Sequence, residues 1–245
     1  DIACGGYHSL ALKTDGTLLA TGYNDSGQLG AEDNNNRNTY VQVQTGVSDI
    51  ACGGYHSLAL KTDGTLWATG RNDYGQLGTG DNTDRNTFVQ VETGVSAIAC
   101  GGWHSLALKT DGTLWATGYN YYGQLGTGNN TDRNIFVQVQ TGVSAIACGA
   151  EYSLALKTDG TLWVAGRNNY GQLGTGNYTN RNTYVQVQTG VGAIVGGVYH
   201  SLTLKTDGIL WVTGYNNYGQ LGTGDNNNRN TYVQVQTGVS DIAGG

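Results

Sequence analysis

An all-β fold of tandem four-stranded units is predicted by three observations. A 48-residue unit recurs five times, beginning at Asp1, Asp49, Ala97, Ala145 and Ala193, and Asp241 to Gly245 opens a sixth. Each unit holds short runs that alternate large and small residues, separated by Gly-Gly, Asp-Gly and Thr-Gly, the punctuation of strands and not of helices. Composition agrees, because Met is absent and Gly, Thr, Asn, Tyr and Val dominate, with 41 glycines shared among the units. A period of this length marks a solenoid, propeller or array, in which no unit buries its apolar face alone. Units two and three agree at 41 of 48 positions, which fixes the repeat register.

Unit two justifies each element in order. Asp49 to Cys52 is a short apolar strand that stops at Gly53-Gly54. Ser57 to Thr62 and Thr65 to Gly70 are alternating runs joined by Asp63-Gly64, read as a two-residue hairpin turn. A long loop, Asn72 to Asn86, leads to a β-branched and aromatic strand, Thr87 to Glu92, which ends at Thr93-Gly94. A two-residue turn places Leu60 opposite Trp67, Leu58 opposite Thr69 and His56 opposite Arg71. One face then carries His56, Leu58, Leu60 and Trp67, and the other Ser57, Ala59, Leu66 and Ala68. Trp67, Trp115, Trp163 and Trp211, with Leu19 in the first unit, are expected in the core. Bulky-on-small packing of successive sheets predicts a β-propeller of four-stranded antiparallel blades, since an open sheet would leave one face polar. The five units make either a closed five-bladed ring or an arc of a larger propeller, in one domain spanning 1–245. Asp1 to Cys4 and Asp241 to Ala243 compete for a single strand position, which leaves a clasp or self-association through terminal strands as outlets.

Charge narrows the function classes. Net charge is −6 with 12 Lys and Arg, and no basic stripe is present, so nucleic acid is not an expected partner. No apolar run reaches membrane-spanning length, so no membrane is expected either. The chain opens in mid-pattern with neither an initiator Met nor a signal peptide, as a processed or excised piece would. Cys4, Cys52, Cys100 and Cys148 occupy one position of the unit and are read as buried free thiols, since no spacing resembles C-x-x-C. His8, His56, His104 and His200 also recur, but Tyr152 takes the slot in unit four; each His is expected to bond a backbone group. The Asp- and Asn-rich tips are read as Asx-turns braced by Arg37, Arg85, Arg133, Arg181 and Arg229, because the calcium-loop spacing is missing. With no nucleophile–base–acid set, P-loop or paired carboxylate, neither catalysis nor a metal or other cofactor is expected.

The stretch G-G-Y-H-S-L-A-L-K-T-D-G-T-L-W-A-T-G-R-N-D-Y-G-Q-L-G at 53–78, with its equivalents in all five units, resembles the RCC1 (regulator of chromosome condensation) repeat. The resemblance implies RCC1-type propeller blades and a protein that acts by binding. Family members include an exchange factor for a small GTPase, a plant UV-B photoreceptor, ubiquitin-ligase modules and a bacterial β-lactamase inhibitor. Family propellers usually carry seven blades, against five units here, and the uniform unit length holds no long insertion.

Differences among the units locate the candidate site. The Asp-Gly turns never change, whereas variation collects at the opposite end of the hairpin. The position after the Gly pair holds Tyr7, Tyr55, Trp103 and Glu151, with Val198-Tyr199 in unit five. Across the hairpin stand Tyr23, Arg71, Tyr119, Arg167 and Tyr215. Just beyond come Asp25-Ser26, Asp73-Tyr74, Tyr121-Tyr122, Asn169-Tyr170 and Asn217-Tyr218. Rigid aromatics with adaptable polar residues form the composition of a binding face, so these positions are expected to make one rim that binds another protein. Carbohydrate is the alternative ligand class, and an amplified structural repeat without a ligand is the third reading.

Overall fold

The computed structural model describes residues 1–244. It is all-β, with five four-stranded antiparallel sheets, one per repeat. The first sheet comprises β1 (Ile2–Cys4), β2 (His8–Leu12), β3 (Leu18–Gly22) and β4 (Arg37–Gln44). The second comprises β5 (Val47–Cys52), β6 (His56–Lys61), β7 (Leu66–Gly70) and β8 (Arg85–Glu92). The third holds β9 (Val95–Cys100), β10 (His104–Lys109), β11 (Leu114–Gly118) and β12 (Arg133–Gln140). The fourth holds β13 (Val143–Cys148), β14 (Tyr152–Lys157), β15 (Leu162–Gly166) and β16 (Arg181–Gln188). The fifth holds β17 (Val191–Gly196), β18 (His200–Lys205), β19 (Leu210–Gly214) and β20 (Arg229–Gln236). Within each sheet the strands pair in sequence order, as a meander. First and fourth strands begin about two residues earlier than the sequence alone indicates.

The chain forms two compact units. One comprises Asp1–Tyr119 with Asp132–Val139, and the other Asn120–Thr131 with the chain from Gln140 onward. The first unit thus holds three sheets. The second holds two sheets and the long loop of the third repeat.

The hairpin register differs by one residue from the expected one. Gly64 donates its amide to the Lys61 carbonyl at 3.0 Å, and Lys61 donates to the Thr65 carbonyl at 2.9 Å. The loop therefore has three residues, a type I turn closed by Gly64 at φ 79°. Asp63 enforces it: one carboxylate oxygen accepts both the Thr65 amide (2.9 Å) and the Thr65 hydroxyl (2.6 Å). Leu60 consequently pairs with Leu66, Leu58 with Ala68, Ala59 with Trp67 and His56 with Gly70. A one-residue slip moves a strand's entire side-chain set to the other face. Leu66 and Ala68 join the leucine face, and Trp67 moves to the face of Ser57 and Ala59.

That exchange corrects the tryptophan assignment. Trp67, Trp115, Trp163 and Trp211 are half-buried, as is Leu19. The indoles of Trp67, Trp115 and Trp211 instead pack at the margin of the core clusters: Trp115 Nε1 donates to Thr113 Oγ1 at 2.9 Å, and the Lys109 ammonium lies 4.1 Å from the indole centroid.

Bulky-on-small packing holds with the leucines as the bulky side. In the first unit, Leu10 and Leu18 of one sheet meet Ile50 and Ala59 of the next. Leu58, Leu60 and Leu66 meet Ile98 and Ala107 in turn. In the second unit, Leu154 and Leu162 meet Ile194, with Trp211 at the margin. Burying a leucine side chain stabilises by about 1.5–3 kcal/mol, so these layers hold the sheets together.

A second seam locks neighbouring repeats. The Gly-Gln-Leu-Gly loop of each of the first four repeats presses on the outer strand of the following sheet. A Cβ on Gly27 would stand 2.4 Å from Asn86 Cα, and one on Gly75 2.3 Å from Asn134 Cα. Thr69 donates to the Gly27 carbonyl at 2.9 Å, and Thr117 to the Gly75 carbonyl at 2.8 Å. The loop of the third repeat docks likewise, with Thr127 bridging Thr183. Its acceptor lies in the fourth sheet, which is why Asn120–Thr131 belongs to the second unit.

Asp1 to Cys4 fills the inner strand position of the first sheet as β1, whereas Asp241 to Ala243 forms no strand. Cys4 is exposed, contrary to the buried-thiol expectation; Cys52, Cys100 and Cys148 are partly buried.

Candidate functional site

The long loops that carry the site are posted on a buried asparagine. Asn72 is fully buried. Its side-chain amide donates to Thr79 Oγ1 (3.0 Å) and to the carbonyls of Asp81 (2.9 Å) and Thr83 (3.2 Å). Its Oδ1 accepts the Leu77 amide at 2.9 Å. Asn24, Asn120, Asn168 and Asn216 take the same place in their repeats. The tips are the expected Asx-turns, with Asp81 Oδ1 accepting the Thr83 amide. Arg85 braces that tip through the Thr83 carbonyl (2.7 Å) and adds an ion pair to Asp81 at 2.6 Å. Among the described residues no cluster of three or more metal-ligating side chains is present.

His8 and His56 are framework, but the partner of each ring is a side chain and not the expected backbone group. His8 Nε2 lies 2.8 Å from Ser57 Oγ, and His56 Nε2 lies 2.9 Å from Ser105 Oγ. Ser57 spends its single proton on the Gln28 carbonyl at 2.7 Å. The imidazole must therefore be the donor, which fixes the Nε2–H tautomer. Burial lowers the pKa of His8 to about 4 and that of His56 to about 3. Tyr152, in the same slot, is buried with its hydroxyl against the carbonyls of Gly197 (2.9 Å) and His200.

At the Gly-Gly end of the sheets the predicted aromatics come together within each unit. In the first unit, Tyr7 contacts Tyr23 and Tyr55 with ring centroids 6.2 and 5.6 Å apart. Tyr55 stacks on Trp103 at 5.2 Å, and Tyr74 joins Trp103 to Tyr119 at 5.9 and 4.7 Å. The Arg71 guanidinium lies 5.0 Å from the Trp103 ring centroid and pairs with Asp73 at 2.6 Å. That carboxylate's hydrogen bond raises the Arg71 pKa above its ordinary value. Tyr23 donates its hydroxyl to Asp25, which raises the tyrosine's pKa.

In the second unit, Arg167 is the hub. Its guanidinium lies 5.0, 5.5 and 5.3 Å from the rings of Tyr122, Tyr170 and Tyr199, and it pairs with Glu151. Tyr170, Tyr199 and Tyr215 are in mutual contact, and Tyr218 extends the set from Tyr215 at 6.1 Å. Tyr121 packs edge-on against Tyr122. Tyr7, Tyr121 and Tyr218 are the exposed members, and the remaining predicted site residues are half-buried.

The acidic members of the variable set, Asp25, Asp73 and Glu151, serve as partners of Tyr23, Arg71 and Arg167, a pairing that the sequence did not reveal. What the arrangement offers is wide, rigid aromatic area with fixed cations, suited to contact.

Comparison with known proteins places this geometry. The Regulator of chromosome condensation (RCC1) repeat matches residues 15–60, 63–108, 111–156 and 159–204. A second profile of the same description matches residues 1–28, 47–76, 95–124, 143–172 and 193–220. The fold is similar to human WBSCR16, with a TM-score of 0.86 at 25% identity over 97% of this chain and 67% of that one. It is also similar to Prp20p from Saccharomyces cerevisiae, studied for its binding to Gsp1p and histones, with a TM-score of 0.82 at 23% identity over 99% of this chain and 65% of that one. A structure of yeast RCC1 (Prp20) bound to Kap60 aligns with a TM-score of 0.76 at 18% identity, over 97% of this chain and 75% of that one. With the repeat profile covering most of its length and every repeat folded as a four-stranded blade, this chain belongs to the RCC1 repeat family.

Proposed function

We propose that the chain is a protein-binding scaffold without catalytic activity, and that it engages a protein partner through the variable aromatic surface at the Gly-Gly end of its sheets. The observation that carries this reading is the continuity of the aromatics. Tyr7, Tyr55, Trp103 and Tyr74 come from three different repeats yet touch in sequence. Aromatic side chains and arginine supply most of the energy at protein interfaces, and a patch of this kind is uncommon without a partner. Its neighbours in fold support the class of ligand: yeast Prp20 is described in complex with Kap60, and its binding to Gsp1p and histones has been described.

The surface is unequal from repeat to repeat, with Arg71 and Asp73 in one and Tyr119 and Tyr121 in the next. A lectin with one sugar site per blade would keep those positions alike, which favours protein over carbohydrate. The test compares the wild type with a variant carrying Tyr55→Ala, Tyr74→Ala, Trp103→Ala and Tyr119→Ala. Both are presented to a lysate of the source cells and to a glycan array, with circular dichroism confirming the fold. A protein retained by the wild type and lost by the variant supports the reading. Glycans lost by the variant would replace it with the lectin reading, and equal capture by both would remove the surface from the account.

A further inference from the structure

We propose that a groove beside the outer strand of the fourth repeat binds an extended peptide segment bearing a carboxylate, which Arg181 receives. The groove lies next to a loop tip that departs from its counterparts.

In four of the repeats the tip keeps an aspartate: Asp33 in the first, Asp81 and Asp84 in the second, Asp132 in the third and Asp225 in the fifth. The fourth tip reads Asn177-Tyr178-Thr179-Asn180. That change breaks a recurring ion pair. Arg37, Arg85 and Arg229 hold Asp33, Asp81 and Asp225 at 2.7, 2.6 and 2.7 Å. Arg181 instead donates to the neutral Asn177 Oδ1 at 3.3 Å, and among the described residues no carboxylate pairs with it. A second brace is lost at Tyr178, 51% exposed. At its position, Asn34 and Asn82 each donate to a neighbouring carbonyl at 2.7 Å. Between Asp159 and Asp207 the chain carries no carboxylate at all. A half-buried guanidinium without a counter-charge is costly, and sequences give up local contacts of this kind chiefly at functional sites.

Arg181 lines an open groove of about 620 Å³, together with Gly174-Thr175-Gly176, Thr231 and the stretch Val185 to Val187. That volume suits a short peptide. Successive strand residues point to opposite faces, so a groove touching Val185, Gln186 and Val187 alike runs along the edge of β16 and not over a face. The edge is open there. β16 stands last in the sheet order β13-β14-β15-β16, and among the described residues no backbone bond outside the sheet uses Val185, Gln186 or Val187. Nearer Arg181 the same strand already accepts an added segment: Thr127 bridges Thr183 antiparallel, and Gly128 donates to the Asn182 carbonyl at 2.7 Å. An unpaired edge is a template for one more extended segment.

The chemistry of the lining selects the occupant. Arg181 alone is charged among the described lining residues, and a single planar guanidinium matches a carboxylate. Val185 and Val187 offer apolar footing, and Thr175 and Thr231 a polar, uncharged wall. An extended segment alternating valine-sized and polar residues, with a carboxylate at one end, meets each of these. None of the lining residues belongs to the aromatic set at the Gly-Gly end, so this is a second surface, independent of the one above.

The test follows binding to the full chain by fluorescence anisotropy. Its probes are labelled peptides of alternating valine and threonine, amidated and ending in glutamate or glutamine, or ending in a free C-terminal carboxylate. Wild type should bind the carboxylate-bearing peptides and hold the glutamine peptide about tenfold more weakly. Asn177→Asp restores the residue with which the first, second and fifth repeats fold, and it gives Arg181 an internal partner. Affinity for the glutamate peptide should then fall by about tenfold. Arg181→Gln should lose as much, with an unchanged circular dichroism spectrum. Binding of none of the peptides, equal binding of the glutamate and glutamine peptides, or full affinity in Asn177→Asp would overturn the inference. Inorganic phosphate that binds wild type more tightly than the peptides do, and is lost in the same variants, would replace the peptide with a free anion. The variant lacking Tyr55, Tyr74, Trp103 and Tyr119 should bind the glutamate peptide as wild type does, so this inference can fail while the aromatic reading stands, and the reverse.

Discussion

The imidazole of His56 meets the hydroxyl of Ser105 one repeat further along the chain, at 2.9 Å, and Ser105 passes its proton to the Gln76 carbonyl at 2.7 Å. The same relay joins His8, Ser57 and Gln28. It ties the start of one hairpin to the next sheet and to the docking loop between them, so the repeats are coupled by polar as well as apolar contacts.

The relay predicts acid sensitivity. Burial holds His8 near 4 and His56 near 3, below the ordinary value of 6.5. The unfolded chain takes up protons below pH 6.5 and the folded chain does not. Stability is therefore intact above pH 6.5 and falls as the pH drops towards 4, by about 2 kcal/mol per buried histidine at pH 5. Thermal unfolding between pH 7 and 4.5 should show this slope, and the His8→Gln, His56→Gln variant should lose the share of those two while keeping that of His104 and His200, whose pKa burial also lowers. A second decline belongs to Asp33, which its Arg37 hydrogen bond lowers to about 2; stability from that pair is lost as pH falls below the carboxylate range, and the glutamine variant should keep it.

Leucine and tryptophan exchange the roles that the pattern suggests. Leu58→Ala removes a fully buried side chain from the sheet interface and should destabilise by about 2–5 kcal/mol. Trp115→Ala removes a half-buried indole held by Thr113 and Lys109, and about 1–2 kcal/mol is expected. Denaturant midpoints of the two variants should rank in that order; equal losses would return Trp115 to the core.

A matched pair of glycines separates backbone strain from docking. Gly75 and Gly219 have nearly the same φ, 78° and 77°. Gly219→Ala should carry only the left-handed penalty, about 1–2 kcal/mol. Gly75→Ala adds the collision with Asn134 and should exceed it by 1 kcal/mol or more, on the order of a displaced core contact. Melting curves taken at low concentration measure the difference.

Thiol reactivity should divide the cysteines. Cys4 is exposed. Burial pushes the Cys52 thiol up to about 12 and that of Cys148 upward too. Iodoacetamide at pH 8 should label Cys4 promptly and the other two only as the protein unfolds, since the thiolate is the reacting form. Peptide mass mapping over time reads the order.

The repeat length, the strand count, the hairpin positions and the variable end were all legible in the sequence, because each follows from local chemistry repeated five times. Gly64 and Asp63 mark a turn wherever they stand. Tyr55, Trp103 and Tyr119 could be assigned to one end by counting along the hairpin. Aromatic contact from repeat to repeat could not, since it depends on how successive sheets stack.

What the sequence by itself determined was therefore periodic: four strands to a unit, one apolar face to cover, one unchanging end and one varying end. Only the tertiary structure decided which residues cover which. An Asx-stabilised three-residue loop at Asp63-Gly64 in place of a two-residue turn moved Trp67 out of the core and Leu66 into it. Side chains alternate along a strand, so a one-residue change in a turn reverses a face while leaving the pattern in the sequence untouched.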